Sequence, residues 1–297
     1  MDAVRVAVVT SAAGLAHDQD LPSIVAALRA AGLAAEPVRW DAARPARARY
    51  ELAVIRSTWD YVERLDAFLT WADATAAGTR LWNPAPVVRW NSDKHYLREL
   101  AGYGVPVVPT RILEPGEPCT PADFDRAHGV VVKPAISAGA VDTARYRPGR
   151  SADAARHART LLERGRSVLV QPYLPRIAEG ERALVFVGGA FSHAIRKEPL
   201  LTEPGVIDND RAPHLGVVPH RPTGAEVRTA LAALAAVPDP RALLFARVDL
   251  VPADTGEPLV LELELIEPNL FLDTDPAALD RLVAAVAARA RARGPDG

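Results

Sequence analysis

The chain of 297 residues has little cysteine and no long apolar run. Its single cysteine, Cys119, excludes an intramolecular disulfide and a cluster of thiolate metal ligands. No window approaches the roughly 18 uninterrupted apolar residues of a membrane-spanning helix. The N-terminal segment MDAVRVAVVTSAAG also lacks the apolar core of a secretory signal. We therefore expect a protein of the reducing cytoplasm, without a membrane as partner.

A surplus of either charge is absent as well. The formal net charge is −2, and acidic and basic residues alternate along the chain, so there is no electrostatic footprint for nucleic acid. With 49% hydrophobic and 24% charged residues, the composition is that of an ordinary globular protein. The length suits about two or three packed units.

Lysine is the scarcest charged residue. Of the 35 basic side chains only three are lysine, namely Lys94, Lys133 and Lys197. A chain with this bias would fill indifferent surface positions with arginine, so a retained lysine suggests a need for a compact ammonium group. Chance explains any single lysine, but three lysines in phosphate-compatible places would indicate function.

The first third of the chain alternates predicted strands with helices. VRVAVVT, AAEPVRW and ELAVIRS have the composition of strands, and helical patterns cover about 21–31 and RLDAFLTWADATAAG. This alternation predicts a small, mostly parallel α/β unit. Prolines 84 and 86 suggest a linker after it, with Ser92 as the cap of a helix that carries Lys94 in its first turn. A cation is unfavourable there unless an anion shares the site.

Ligands of parallel α/β sheets bind beyond the carboxyl ends of the strands. The segment RSTWDY follows a predicted strand directly and offers charge, hydroxyl and aromatic groups. Packing of the aromatic pair under a loop is the alternative. The candidate substrate contacts in this segment are Arg56, Ser57, Trp59, Asp60 and Tyr61.

The rest of the chain is predicted to be α+β. VVVKPA and SVLVQPYL are predicted strands that flank a helix from Ser151 to about Arg164, and hairpins are predicted to turn at 188–189 and 254–256. Thr223 and Glu226 have the spacing of a helix capping box, and a C-terminal helix ends the chain. The loop 199–222 is a candidate for substrate selection through Asp208, Asn209, Asp210 and Arg211. His193 and His214 are either substrate-side bases or, as we favour, ordinary polar residues.

The last hairpin carries the strongest chemical signal. In LVLELELIEP, Glu262 and Glu264 are two residues apart and project from one face of a strand, where their charges repel. Arg247 and Asp249 have the same spacing on the partner strand. If the two faces coincide, three carboxylates converge, and hard oxygen ligands of this kind suit Mg²⁺. The alternative is an exposed sheet edge with ordinary surface glutamates.

A candidate phosphate site precedes this hairpin. Lys133 ends a predicted strand and leads into a loop with Ser137, Ala138 and Gly139, whose small size lets backbone N–H groups approach phosphate oxygens. The loop matches neither G-x-x-x-x-G-K-[ST] nor G-x-G-x-x-G. Further along, Gln171 has the chemistry to bond an adenine edge and Glu181 to accept from ribose hydroxyls.

The order of these features resembles the ATP-grasp superfamily of carboxylate–amine ligases, over about residues 83–273. The resemblance implies an ATP-grasp fold behind a parallel α/β domain, with an N-terminal substrate domain at 1–90, a central subdomain at 91–187 and a C-terminal subdomain with the metal site at 188–297. It implies ATP and Mg²⁺, with two ions, as cofactors. Matched position by position, it implies ATP contacts from Lys94, Lys133, Ser137, Ala138, Gly139, Gln171, Pro172, Tyr173, Leu174, Glu181 and Lys197, metal ligands Asp249, Glu262 and Glu264, and catalytic roles for Lys197 and Arg247.

One position departs from the superfamily. Its last metal motif usually has the form E-x-N, and here Glu264 stands where Asn would. Glu267 to Asn269 also spells E-x-N, but its proline is awkward in a central strand. We favour Glu262 and Glu264 and expect Glu267 to face substrate, with the other register left open.

The combination of STWDY, WNSDKHYL and ELELIEP resembles a branch related to bacterial glutathione synthetases. That branch includes the cyclo-ligase that forms cycloserine from O-ureido-serine. The resemblance implies an ADP-forming ligase that activates an amino-acid-type carboxylate as an acylphosphate for attack by an amine, and often a homodimer. The alternatives are intermolecular, peptide-like ligation of amino acids and a non-catalytic ATP-binding regulatory protein.

Overall fold

The computed structural model describes residues 3–42, 50–209 and 216–292. The sequence candidates Asp210, Arg211 and His214 lie outside these ranges. The described strands form three sheets, one parallel and two antiparallel. None of the helices in the described ranges is long and apolar enough to cross a bilayer.

The first sheet is parallel, as the alternating pattern predicts, and has the order β2-β1-β3-β4. Its strands β1 and β3 are almost wholly buried, because helices cover both faces of the sheet. The strands are β1 (Arg5–Thr10), β2 (Ala34–Arg39), β3 (Leu52–Ser57) and β4 (Arg80–Trp82), and the helices are α1 (Ala12–His17), α2 (Leu21–Ala30) and α3 (Leu65–Ala76).

The predicted linker at the prolines is wrong, since they begin a helix. Pro84 caps α4 (Ala85–Asn91), and proline is tolerated in a first helical turn because its missing N–H would lack a partner there anyway. Ser92 is consequently the C-cap of α4. A second helix, α5 (Tyr96–Gly102), begins only after Lys94, so this lysine lies in the short link between two helices.

The second sheet has the order β5-β8-β6-β7 and is antiparallel. It consists of β5 (Arg111–Leu113), β6 (Val130–Pro134), β7 (Ala144–Tyr146) and β8 (Val168–Pro172). The helix α6 (Ser151–Glu163) packs its alanine and leucine side on this sheet. Both VVVKPA and SVLVQPYL therefore form strands, as predicted.

The third sheet is built from the two predicted hairpins and has the order β11-β10-β9-β12-β13. The capping box of Thr223 and Glu226 is present at the start of α7. The elements are β9 (Glu181–Val187), β10 (Ala190–Lys197), β11 (Val218–Pro219), α7 (Gly224–Ala235), β12 (Phe245–Pro252), β13 (Pro258–Glu264) and α8 (Ala278–Arg291).

The combined architecture confirms the predicted fold class. The C-terminal helix α8 packs on α2, so residues from both ends of the chain share one hydrophobic core. Another core joins α5 with β12 and β13. Both of these cores contain residues from either side of positions 90 and 187. The division of the chain into subdomains at these positions stays a prediction.

Candidate active site

A cavity of about 1010 Å³ opens between the parallel sheet and the two antiparallel sheets. It is lined by every ATP, metal and catalytic residue that the sequence suggested, and by four of the six substrate candidates. The substrate candidates in its wall are Arg56, Trp59, Tyr61 and Glu267.

The faces of the last hairpin coincide. Across the ladder of β12 and β13, Arg247 stands opposite Glu264 and Asp249 opposite Glu262. We call Asp249, Glu262 and Glu264 the acidic face. The alternative of an exposed edge with surface glutamates does not apply, since these side chains line the cavity.

Each carboxylate of the acidic face is paired with a cation. Arg247 donates two hydrogen bonds to Asp249, at 2.8 and 2.9 Å, and a further one to Glu264. Lys94 Nζ lies 3.1 Å from a carboxylate oxygen of Glu262. The repulsion between Glu262 and Glu264 is thus offset in part by interleaved positive charge.

The pKa values show that the compensation is uneven. Burial would raise the pKa of Asp249, but the Arg247 and Lys197 cations lower it well below its usual range. Burial is the main reason that the pKa of Glu264 is raised to about 7. The Arg247 cation lowers this pKa, and the neighbouring Asp249 and Glu262 charges raise it. The ionised form of Glu264 is therefore disfavoured in the ligand-free protein, and a bound cation would stabilise it.

The donor set fits Mg²⁺, although no closed cage exists. Within the described residues, no group of three or more His, Cys, Asp or Glu side chains is arranged to enclose a metal ion. Mg²⁺ usually needs only one or two carboxylates, with waters and phosphate oxygens completing its shell. The oxygens of the acidic face meet that requirement.

All three lysines enter the same cavity and are buried. Lys94 donates to the backbone oxygen of Ser137 at 2.7 Å, and Lys197 contacts both Glu181 and Asp249. Lys133 differs from both, since its Nζ makes no hydrogen bond or ion pair with any described residue. Burial lowers its pKa, which the nearby Glu262 partly opposes. A buried ammonium without a partner is costly unless an anion joins it.

The loop after β6 also lines the cavity, and several of its residues have positive φ angles. Gly139 has a φ of 61°, and Ala140 and Asp142 have positive φ angles of 60° and 53°. Such angles cost non-glycine residues roughly 1–2 kcal/mol each. Asp142 is held by reciprocal hydrogen bonds with Asn209, which tie this loop to the loop after β10.

The predicted adenine and ribose contacts line the same cavity. Gln171 donates through Nε2 to the hydroxyl of Thr110 at 2.8 Å, so its amide orientation is fixed. The Tyr173 ring lies under the Arg145 guanidinium, at 4.8 Å. Burial raises the pKa of Glu181 to about 7, in spite of Lys197 beside it.

The substrate candidates from the parallel sheet divide into two groups. Ser57 does not reach the cavity, because it is fully buried and its hydroxyl bonds Thr10 at 2.7 Å. Asp60 also points elsewhere, since it accepts from the Trp40 indole at 2.8 Å and pairs with Arg64. Neither side chain lines the cavity, because Thr10 holds Ser57 inside the domain and Trp40 and Arg64 hold Asp60 away from it.

Arg56 lines the cavity and contacts three other residues of its wall or surroundings. Its guanidinium donates to the backbone oxygen of Pro268 at 2.8 Å and lies within 3.2 Å of Asp18 and Asp20. Next to this cluster, burial raises the pKa of Glu267 to about 8, with a smaller contribution from Glu264. Arg56 thus organises this part of the cavity wall.

Sequence reasoning missed part of the wall. The segment HDQD, residues 17–20, lines the cavity from the end of α1, and Asp273 lines it from the segment after β13. Asn269, from the alternative metal register, lines it as well. The rule that drew attention to RSTWDY applies equally to HDQD, which follows another strand of the same sheet. His193 lies outside the cavity wall and bonds the Leu270 oxygen at 2.8 Å, as expected of an ordinary polar residue.

Sequence comparison identifies the family of this site. A family described as "D-cycloserine synthetase DcsG, N-terminal domain" matches residues 6–83. The chain is 37% identical over 299 residues to the cycloserine biosynthesis protein DcsG of Streptomyces lavendulae, covering 95% of this chain and 98% of the relative. The chain belongs to the DcsG family of ATP-grasp ligases. The predicted resemblance to the ATP-grasp superfamily and to its cyclo-ligase branch is confirmed.

Solved structures agree with this assignment. The chain matches the crystal structure of D-cycloserine synthetase DcsG with a TM-score of 0.88 at 35% identity, covering 97% of this chain and 100% of that one. The D-alanine–D-alanine ligase of Bacillus anthracis matches with a TM-score of 0.73 at 16% identity, covering 97% of each chain, which shows a shared fold alone.

Proposed function

We propose that this DcsG family member is an ATP- and Mg²⁺-dependent ligase that closes the ring of cycloserine from O-ureido-serine. The DcsG relatives support the product, and the resemblance found in the sequence supports the substrate. The observation that carries the catalytic part of the proposal is the buried Lys133 side chain, which lines the cavity together with the acidic face and whose ammonium group has no partner among the described residues. Such a group is suited to a phosphate oxygen.

The chemistry follows from the placement of charge. In the proposed reaction the substrate carboxylate takes up the terminal phosphoryl group of ATP, and its oxygen becomes part of an acylphosphate. Lys94, Lys133 and Arg247 would stabilise negative charge that develops on the phosphoryl oxygens. Mg²⁺, held by one or two carboxylates of the acidic face, would neutralise further charge on the phosphates; two ions remain our expectation from the superfamily.

Ring closure needs a nucleophile in the same molecule. The nitrogen bound to oxygen in O-ureido-serine would attack the acylphosphate and expel inorganic phosphate. Cycloserine lacks the carbamoyl group of O-ureido-serine, so hydrolytic loss of that group must accompany ring formation. The residues at the carboxyl ends of β1 and β3, together with Glu267, would hold the substrate folded, and closure of the loop 137–143 would exclude water.

The residues proposed for each task remain those suggested by the sequence, apart from Ser57 and Asp60. Lys94, Lys133 and the loop 137–139 would bind phosphates, and 171–174 with Glu181 would bind the nucleoside. Lys197 would contribute through Asp249, with which it is paired. A cytoplasmic location and a homodimer complete the proposal.

The test is product analysis under turnover. Purified protein is incubated with ATP, Mg²⁺ and either enantiomer of O-ureido-serine, alongside a panel of free amino acids. ADP release and mass spectrometry then report on the reaction and its product. We expect ADP release with O-ureido-serine, accompanied by cycloserine. A dipeptide-like product from the amino-acid panel would replace cyclisation by intermolecular ligation, and ATP binding without ADP release would favour a regulatory protein.

A further inference from the structure

The strand that carries Glu262 and Glu264 lies at the edge of its sheet among the described strands. An edge strand normally presents unpaired N–H and C=O groups to solvent. Here the outward groups of β13 are occupied from the side of α4 and α5. Val260 exchanges hydrogen bonds with the backbone of Pro106 and Val108, at 2.8 and 3.0 Å.

Further along β13, side chains form the hydrogen bonds to its outward backbone groups. Asn91 donates through Nδ2 to the Leu263 oxygen at 2.7 Å and accepts through Oδ1 from the Leu265 N–H at 2.8 Å. The Tyr96 hydroxyl donates to the Leu263 oxygen at 3.1 Å and accepts from the Leu263 N–H at 2.9 Å.

The Asn91 amide is thereby hydrogen-bonded to both peptide groups that flank Glu264. One donor and one acceptor at this spacing reproduce what a neighbouring strand would offer. The amide is 8% exposed and borders the cavity, three residues before Lys94. Asn91 stands in the segment WNSDKHYL, but the sequence alone predicts no role for its side chain.

We propose that Asn91 is a positioning residue that fixes the Glu264 carboxylate on the acidic face for binding of a divalent cation. The proposal rests on the function proposed above. Without the two hydrogen bonds from Asn91, the peptide groups around Glu264 would hydrogen-bond to water, and the carboxylate would sample several positions. Metal ligands depend on such outer contacts, whose loss typically lowers affinity by about 10–100-fold.

Asn83 provides a matched control. It is fully buried and bonds the same hairpin three times, to the Phe245 oxygen, the Leu265 oxygen and the Leu244 N–H, at 2.9, 2.7 and 2.7 Å. These bonds do not hold both of the peptide groups that flank Glu264, and Asn83 does not line the cavity. Asn83→Ser should therefore cost more stability than Asn91→Ser, yet leave cation binding intact.

The experiment measures binding without turnover. Free Mn²⁺ is followed by electron paramagnetic resonance during titration of the full-length protein with Mn²⁺ in the presence of ADP. We expect Asn91→Ser to weaken binding by about tenfold and Asn83→Ser by less than about twofold. Hydrogen exchange should also be faster at residues 263–265 in Asn91→Ser.

Equal effects of the two substitutions, or no effect of Asn91→Ser, would overturn the proposal. If Asn91→Ser does not fold, Asn91→Gln decides in its place, since it keeps the amide but displaces it by one methylene group from Leu263 and Leu265; unchanged Mn²⁺ binding would then refute the proposal. Glu264→Gln belongs in the same titration. Normal binding in that variant would show that the metal assignment of the proposed function is wrong, whereas weak binding there with normal binding in Asn91→Ser would contradict this inference alone.

Discussion

The two ends of the cavity are built in different ways. At the end of the cavity proposed for phosphate, most charged groups sit on regular strands. Arg247 stands opposite Glu264 and Asp249 opposite Glu262, and Lys94 reaches Glu262 from the link between α4 and α5. At the substrate end, the groups belong to connections after strands, and one guanidinium, Arg56, holds Asp18, Asp20 and the backbone of Pro268 together. Rigid strands suit a constant nucleotide, whereas connections can change with the substrate.

This comparison predicts that changes at the phosphate end abolish turnover, while changes at the substrate end alter substrate affinity selectively. The largest effect is expected for Lys133→Arg. The planar guanidinium cannot occupy the place of a compact ammonium, so we expect turnover to fall on the order of a thousandfold, with the thermal unfolding midpoint nearly unchanged.

ADP release measures this effect, and circular dichroism checks the fold. The reverse exchange Arg111→Lys is the control, because Arg111 forms an ion pair with Asp123 on the surface. Wild-type turnover in Lys133→Arg would remove this lysine from the phosphate site.

Glu262→Gln should raise the Mg²⁺ requirement. The substitution keeps the shape of the side chain but removes a charged ligand and the partner of Lys94, so the half-saturating Mg²⁺ concentration should increase roughly 10–100-fold. Magnesium titration of ADP release measures it. Glu257→Gln, at the exposed turn of the same hairpin, should behave as wild type. An unchanged titration in Glu262→Gln would favour Glu267 and Asn269 as the metal register.

Arg56→Lys tests the other end of the cavity. A lysine preserves the charge but cannot bond Asp18, Asp20 and the Pro268 oxygen together, so the wall around Glu267 should loosen. We expect the substrate KM to rise about fivefold, equivalent to ~1 kcal/mol, with the ATP KM unchanged. Steady-state kinetics with each substrate varied separates the two. Arg64→Lys, an exposed arginine of the same domain, is the control, and a parallel rise in the ATP KM would refute separate ends.

The smallest effect concerns stability and pH. The Glu267 pKa is about 8 in the folded protein, above its usual value of 4.5, so the folded state binds the proton more tightly than the unfolded state. Its contribution to stability is therefore lost as pH rises between about 4.5 and 8.

In the ligand-free protein, Glu267→Gln should remove this loss. The thermal unfolding midpoint of the variant should exceed that of wild type by a few degrees at pH 8, and the gap should shrink towards pH 5. Differential scanning calorimetry measures the gap, with the exposed Glu63→Gln as control. A gap that is constant with pH would show that Glu267 does not titrate in this range.

The phosphate end could be predicted from the sequence because its signals are local. Two-residue spacing places Glu262 and Glu264 on one face, and the turn at 254–256 brings that face next to Arg247. Lysine scarcity drew attention to the three ammonium groups that line the cavity.

The rest depends on contacts between distant residues. Arg56 meets the Pro268 backbone 212 residues away, and Asn91 meets Leu263 at a separation of 172. Periodicity indicates which face of an element a side chain occupies, but not which remote backbone it contacts. Ser57 and Asp60 miss the cavity for the same reason, since Thr10 and Trp40, which hold them, are distant in the sequence.

Activation of a carboxylate by phosphorylation is the central claim, and oxygen transfer tests it most directly. O-ureido-serine labelled with ¹⁸O in its carboxylate is turned over with unlabelled ATP, and the released phosphate is analysed by mass spectrometry. We predict one ¹⁸O atom in each phosphate, because the acylphosphate bridge oxygen originates in the substrate. Unlabelled phosphate formed together with cycloserine would contradict the account, since ring closure would then proceed without an acylphosphate.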